Sequence, residues 1–289
     1  MKKILIILLL LFGSSAIAKN SPAYEILDIE LIENLPFITI DVENIKVKIL
    51  LDTGARNQTL VLKNTILSNL TSIKQYPIKE KSMDITGKEY VATKYILPEL
   101  KIGSLSYLQV KVTEDTNWGF SSGNSNAITN KDGVIGLEMF TDKAIILDYQ
   151  NKKLVIIDKK YPPEYDIENW RELEFKVDRN GVYIFASIDN AKSSKFIIDT
   201  GSNVSLIKSN LVDVKEKKDD CGVMSAIENK LCVHFIPDSL TQGDINFGKT
   251  LLYLYNFKEF EPDGILGYDF LNNKMLYIDF SKRIIRVRL

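Results

Sequence analysis

All-β architecture, in two similar lobes, is what this sequence predicts. Apolar residues alternate with polar ones through most segments, the second half of the 289-residue chain repeats the first, and each half carries one Asp-Thr-Gly behind an apolar run. A buried strand ending in a tight turn places each aspartate at a strand tip.

The repeat consists of four matches in the same order. Ile49 to Val61, ILLDTGARNQTLV, is answered by Phe196 to Ile207, FIIDTGSNVSLI, and LKIGSLSYLQV is answered by INFGKTLLYLY. Asp132 to Phe140 is answered by Asp263 to Leu271, and IILDYQNKKLVII by MLYIDFSKRIIRV, so the offsets run 147, 145, 131 and 131 residues. The shrinking offset puts an insertion in the first copy, most simply in its Asn/Ser/Gly-rich stretch from Thr116 to Asn130. The halves divide as a lobe over 24–158, a linker over 159–172 with two prolines and many charges, and a lobe over 173–289.

The elements follow in chain order. Lys2 and Lys3, the apolar run Ile4 to Phe12, and an A-x-A ending at Ala18 form a secretory signal peptide over residues 1–18. The run is short of the ~20 residues a membrane span needs. Ile38, Ile40 and Val42, then Ile45, Val47 and Ile49, alternate around a Glu43-Asn44 turn and feed a hairpin strand into Asp52. Leu62, Ile66, Leu67 and Leu70 suit a short helix. Met83 to Tyr90 is a hairpin turning at Gly87, a candidate flap, with Ile85, Thr86, Gly87 and Tyr90 as its residues. Leu97 to Thr113 is a hairpin cornered at Gly103, and two strands flank an Asn151-Lys152 turn. In the second half, Leu173 to Ile188 is a hairpin turning at Asn180-Gly181.

Charge and cysteine usage bound the function. The chain has 37 Lys and Arg against 38 Asp and Glu; removing residues 1–18 takes two lysines and no acid, leaving 35 against 38. That balance gives no reason to expect nucleic acid or an anionic membrane as partner. Cys221 and Cys232 are the only cysteines, and in an exported chain they read as one disulfide. With the single histidine, His234, they cannot fill a metal site with the usual ligand count unless carboxylates complete it, and no metal or cofactor is expected.

The chemistry rests on the two corners. Two carboxylates brought together make an acid/base pair that needs no other catalytic residue. Each lobe also has a later apolar strand ending in glycine, Val134-Ile135-Gly136 and Ile265-Leu266-Gly267, as a loop packed beneath an active-site turn requires. Three other motifs are set aside. Gly243 to Thr250 matches a phosphate-binding loop pattern but follows no buried strand. Asn57-Gln58-Thr59 and Asn203-Val204-Ser205 match sugar acceptors, but a sugar there would crowd the two Asp-Thr-Gly corners. His234, between Val233 and Phe235, reads as a strand residue.

With these motifs the chain resembles the pepsin/retropepsin-like aspartic proteases, whose lobes each carry D-T-G-[ST/A] and a later apolar-apolar-Gly. The resemblance implies the pepsin-like acid protease fold with the cleft between the lobes, and catalytic Asp52 and Asp199 sharing a water. It implies supporting roles for Thr53, Gly54 and Ala55 in one corner and Thr200, Gly201 and Ser202 in the other. The threonines would brace the two corners and the glycine N–H groups would donate to the carboxylates. It further implies an aspartic endopeptidase acting as a monomer on an extended polypeptide, periplasmic or secreted. The alternative is a non-catalytic peptide-binding or regulatory protein on the same fold. Ile85-Thr86-Gly87 departs from the family's flap pattern, and Arg56 from its usual small residue. Because Ser202 has a hydroxyl to give Asp199 and Ala55 has none, Asp52 is expected to be the more readily protonated partner.

Overall fold

The computed structural model describes residues 23–55, 59–83, 89–116, 130–178, 181–213, 217–220, 231–257 and 261–289. The signal peptide, Arg56, the flap residues Ile85, Thr86 and Gly87, most of the Asn/Ser-rich insertion, and Cys221 lie outside them. Among the described residues no helix is long and apolar enough to cross a membrane.

The protein is all-β, with two large β-sheet lobes. An eight-stranded sheet carries the first repeat and a ten-stranded sheet the second. The expected short helix is the four-residue Asn64–Leu67. Alternation sets the sheet faces: strand Leu35–Val42 buries Ile38, Ile40 and Val42 on one face while Thr39 and Asp41 face out on the other.

The same topology surrounds each Asp-Thr-Gly. Strand Ile45–Asp52 runs parallel to Gly133–Gly136, with Asp52 opposite Gly136, and Gly133–Gly136 runs antiparallel to Leu60–Leu62. In the second lobe Ser194–Ile198 runs parallel to Gly264–Leu266, which is antiparallel to Ser205–Lys208. The chain thus leaves a strand, turns the corner, and returns with the later apolar strand threaded between the two arms. This insertion is tight. A Cβ on Gly133 would lie 2.0 Å from the Val61 carbonyl oxygen, and one on Gly264 would lie 2.4 Å from that of Leu206. Both glycines are therefore fixed by backbone approach. The preceding aspartates hold the threaded strands in register. Asp132 accepts from Lys48 N–H and Asp263 from Lys195 N–H, each at 2.8 Å.

A third sheet, of six strands, joins the repeats. At its centre Ala144–Asp148 pairs antiparallel with Met275–Asp279, and Ile146 lies opposite Tyr277, its own counterpart at the 131-residue offset. The pseudo-twofold relation between the lobes runs through this pair. Asp148 and Asp279, both buried, tie the following turns alike, accepting from Asn151 N–H and Lys282 N–H at 2.9 Å. The segment read as linker contributes here: Arg171–Glu172 pairs with Ile284–Arg288, and Tyr165, Ile167 and Trp170 pack in the apolar cluster on one face of the sheet. Its prolines and charges hid an apolar stripe.

Gly133→Ala is expected to cost about 2–3 kcal/mol, because the new methyl meets backbone rather than a movable side chain. Urea unfolding measures it; a loss below ~0.5 kcal/mol would show that the threaded strand has room.

Candidate active site

Each catalytic candidate ends a strand whose apolar residues anchor it. Leu50 and Leu51 are buried before Asp52, and Ile197 and Ile198 before Asp199. Asp52 is 8% exposed and Asp199 is half-buried, and their carboxyl groups are hydrogen-bonded to each other across the lobe junction.

Thr53 and Thr200, both fully buried, lock the two corners reciprocally. Thr53 N–H donates to Thr200 Oγ1 at 3.0 Å, and Thr200 N–H donates to Thr53 Oγ1 at 2.9 Å. Each hydroxyl in turn donates across the junction: Thr53 to the Ile198 carbonyl at 2.8 Å and Thr200 to the Leu51 carbonyl at 2.6 Å. Four hydrogen bonds thus join the residues flanking the two carboxylates.

The glycines are fixed by the opposite lobe. A Cβ on Gly54 would lie 2.7 Å from Asp199 Cγ, and one on Gly201 would lie 2.5 Å from Asp52 Cγ. Any side chain there would push the carboxylates apart. Gly54 N–H donates to both carboxylates, Gly201 N–H donates to Asp199 at 2.8 Å, and Ala55 N–H donates to Asp52 at 2.9 Å.

The hydroxyl behind the expected asymmetry points elsewhere. Ser202 Oγ donates to the Val204 carbonyl at 2.7 Å, so this hydroxyl turns away from Asp199. Burial raises both carboxyls above the ordinary aspartate range. Asp199 is pushed well above it, by burial and then by the Asp52 charge, whereas the Ala55 and Gly54 N–H groups restrain Asp52. Like charges this close do not both ionise readily, so the pair shares one proton.

Gly267 sits where a Cβ would lie 2.2 Å from the Val204 carbonyl oxygen, with its N–H on Ser205 Oγ at 3.0 Å; Gly136 donates to the Thr59 carbonyl at 3.2 Å. Both threaded strands therefore end against the outgoing arm of a corner. Tyr90 is half-buried opposite Ser82 in the hairpin formed by Lys74–Met83 and Glu89–Ile102. Cys232 lies in strand Leu231–Phe235, and its proposed partner Cys221 is among the residues not described. His234 is in the same strand, 5.5 Å from the Tyr253 ring. Gly243 to Thr250 opens no helix and leads to strand Leu252–Tyr255.

Sequence reasoning missed two features. Tyr149 is buried near the pair, edge-on to Tyr268 at 6.1 Å, and its hydroxyl has no partner among the described residues. Burial, followed by the Asp199 charge, raises it well above the tyrosine range, so it stays neutral. The available signal was the repeat itself, which has Phe280 at that place. Lys131 and Asp115 form a buried ion pair at 2.9 Å in the first lobe, where the repeat has Pro262 in place of the lysine.

No family model matches the chain, and no curated protein matches it. Among solved structures, basic 7S globulin from soybean is similar, with a TM-score of 0.60 over 91% of this chain and 94% of that one, at 12% identity. At that identity the likeness shows the fold alone. The resemblance to the pepsin/retropepsin-like aspartic proteases is thereby corrected: no family model supports it, and the structural likeness is to a globulin. The shared motifs are short corners imposed by a threaded-strand geometry, and they do not carry membership.

Thr53→Val and Thr200→Val each leave a buried N–H and a buried carbonyl without their partners, and each is expected to cost about 2–4 kcal/mol. A loss under ~1 kcal/mol in urea unfolding would mean that the lock is ornamental. Asp199→Asn tests the raised carboxyl. The stability associated with its proton is complete below the unfolded-state pKa and is lost as pH rises through the higher folded-state value. The variant should therefore melt above wild type at about pH 7, with the gap closing towards about pH 3. Calorimetry showing the opposite trend would overturn the assignment.

Proposed function

We propose that this chain is an aspartic endopeptidase that hydrolyses peptide bonds with a water activated between Asp52 and Asp199. The observation carrying this reading is the hydrogen-bonded carboxyl pair at the lobe junction, held by the reciprocal threonine lock. Two adjacent carboxyls sharing one proton supply a base and an acid at one place. The ionised member of the pair takes a proton from water as the water oxygen bonds to the peptide carbon, while the protonated member gives its proton to the carbonyl oxygen. When the tetrahedral species collapses the C–N bond breaks, the departing nitrogen receives a proton, and the pair returns to its one-proton state. One water is consumed, and a carboxylic acid and an amine are formed.

The two-lobed frame supports an extended polypeptide as substrate, laid across the junction where both corners face it. The signal pattern ending at Ala18 supports an exported enzyme. Activity needs one ionised and one protonated partner, so it falls when both are protonated at low pH and when both are ionised at high pH. Because burial raises both carboxyls, the optimum belongs at mildly acidic pH.

Digestion of a denatured protein by the purified chain between about pH 3 and 7 tests the reading. Asp52→Asn and Asp199→Asn are each expected to lower kcat about a thousandfold or more. Cleavage that survives in both variants, or an optimum near pH ~2, would refute the mechanism. Peptide binding without cleavage at any pH would favour a non-catalytic binding protein.

A further inference from the structure

The two repeats are not closed in the same way beneath their corners. In the first, strand Tyr24–Asp28 pairs along the whole of Lys153–Ile157, and the chain continues so that Ile29 N–H donates to the Lys152 carbonyl at 2.8 Å. Ile29 is buried there, and Tyr149 and Tyr268 fill the adjoining space with their edge-on rings. In the second repeat only Arg171 and Glu172 pair with strand Ile284–Arg288, and Leu173 N–H makes the last bond, to the Ile285 carbonyl at 2.9 Å. At the offsets of 147 and 131 residues that relate the repeats, Ile29 corresponds to Lys176 and Lys152 to Arg283. No backbone hydrogen bond joins Lys176 to Arg283. The tyrosine pair is replaced by Phe280 and Leu137.

A groove of about 810 Å³ lies open at that place, between the short helix Leu137–Phe140 of the first lobe and the hairpin of Phe175–Asp178 and Gly181–Ile188 of the second. Leu137, Phe175, Val177 and Phe280 supply apolar lining, and Lys176 and Arg283 supply charge. Arg283 stands in the left-handed region at φ 55°, as Lys152 does at 54°, so both turns place a cation at the same point. Glu138, also in the lining, is paired with Lys111 at 2.8 Å. Lys176 lies over the Phe185 ring at 5.3 Å, and neither it nor Arg283 pairs with a carboxylate among the described residues. The groove is therefore apolar and carries two uncompensated positive charges.

Two of its lining residues are tied to the corners through the sheets. Leu137 follows Gly136, the register partner of Asp52, and Tyr183 of the lining is the register partner of Ile197, two residues before Asp199.

We infer that this groove binds an acidic, apolar stretch of the polypeptide substrate outside the scissile bond, with Lys176 and Arg283 pairing its carboxylates. The inference rests on the reading of the chain as a peptide hydrolase, and it adds a substrate class. Apolar side chains occupy the space that Ile29 and the tyrosine pair fill in the other repeat. Carboxylates meet cations that pair with no carboxylate among the described residues, so binding breaks no ion pair described there. A chain whose acidic stretch is docked here presents a neighbouring bond to the carboxyl pair at raised local concentration.

The test uses the full chain carrying Asp199→Asn, so that bound peptide survives, and two fluorescein-labelled peptides. One alternates leucine and glutamate; the other replaces every glutamate by glutamine. Fluorescence anisotropy at low salt is expected to show the acidic peptide binding about five- to tenfold more tightly, with the preference fading at ~0.5 M salt. Adding Lys176→Gln with Arg283→Gln should abolish the preference while leaving the thermal midpoint unchanged, since both side chains are exposed. Equal binding of the two peptides, or a preference that survives both substitutions, overturns the inference. A digestion by the otherwise wild-type protein separates this from the parent reading. Cleavage without any acid preference removes the groove assignment and keeps the hydrolase. Acid-selective binding without cleavage at any pH keeps the groove and removes the hydrolase.

Discussion

Four hydrogen bonds between Thr53 and Thr200 and the strands facing them fix the distance between two lobes, and the carboxyl pair depends on that distance. A carboxyl pair is stable only if it is close enough to share a proton and restrained from drifting apart. The lock does both without contributing a charge of its own. Each hydroxyl accepts from one backbone N–H and donates to one carbonyl, so its hydrogen-bonding capacity is used and the buried strand ends find partners. The glycines complete the constraint from the other side, because their missing side chains leave the space that the opposite carboxyl occupies.

The threaded strands translate this local constraint into a fold. Asp52 and Asp199 are each held by a parallel neighbour that ends in glycine, and each neighbour is pinned at its start by an aspartate accepting a backbone N–H. The site is thus supported by regular sheet up to the last residue before each corner. Rigid strands rather than loops set the carboxyl geometry, as a site that must hold sub-ångström placement requires.

Much of this was legible in the residues. Two copies of Asp-Thr-Gly behind apolar runs located the carboxylates, and matching glycines downstream located the strands that thread beside them. The sheet shared by the repeats was not legible, because alternation specifies which face of a strand is buried and not which strand lies beside it. Tyr165, Ile167 and Trp170 were obscured by the prolines and charges around them. The orientation of Ser202 was hidden for a different reason: a carbonyl two residues along, at Val204, competes for the same hydroxyl, and only coordinates show which acceptor wins. The family resemblance failed for want of support outside the corners, since short motifs report a local geometry that unrelated sequences can satisfy.

The central sheet also sets an order in time. Its middle pairing joins Ala144–Asp148 to Met275–Asp279, and Ile284–Arg288 follows as the next strand. Contacts of such long sequence separation form late and slowly. A chain in which both Asp-Thr-Gly corners have formed before these strands pair lacks the sheet that spans the two repeats. The carboxyl pair therefore depends on a pairing between segments far apart in the chain, and whatever loosens that pairing is felt at both corners.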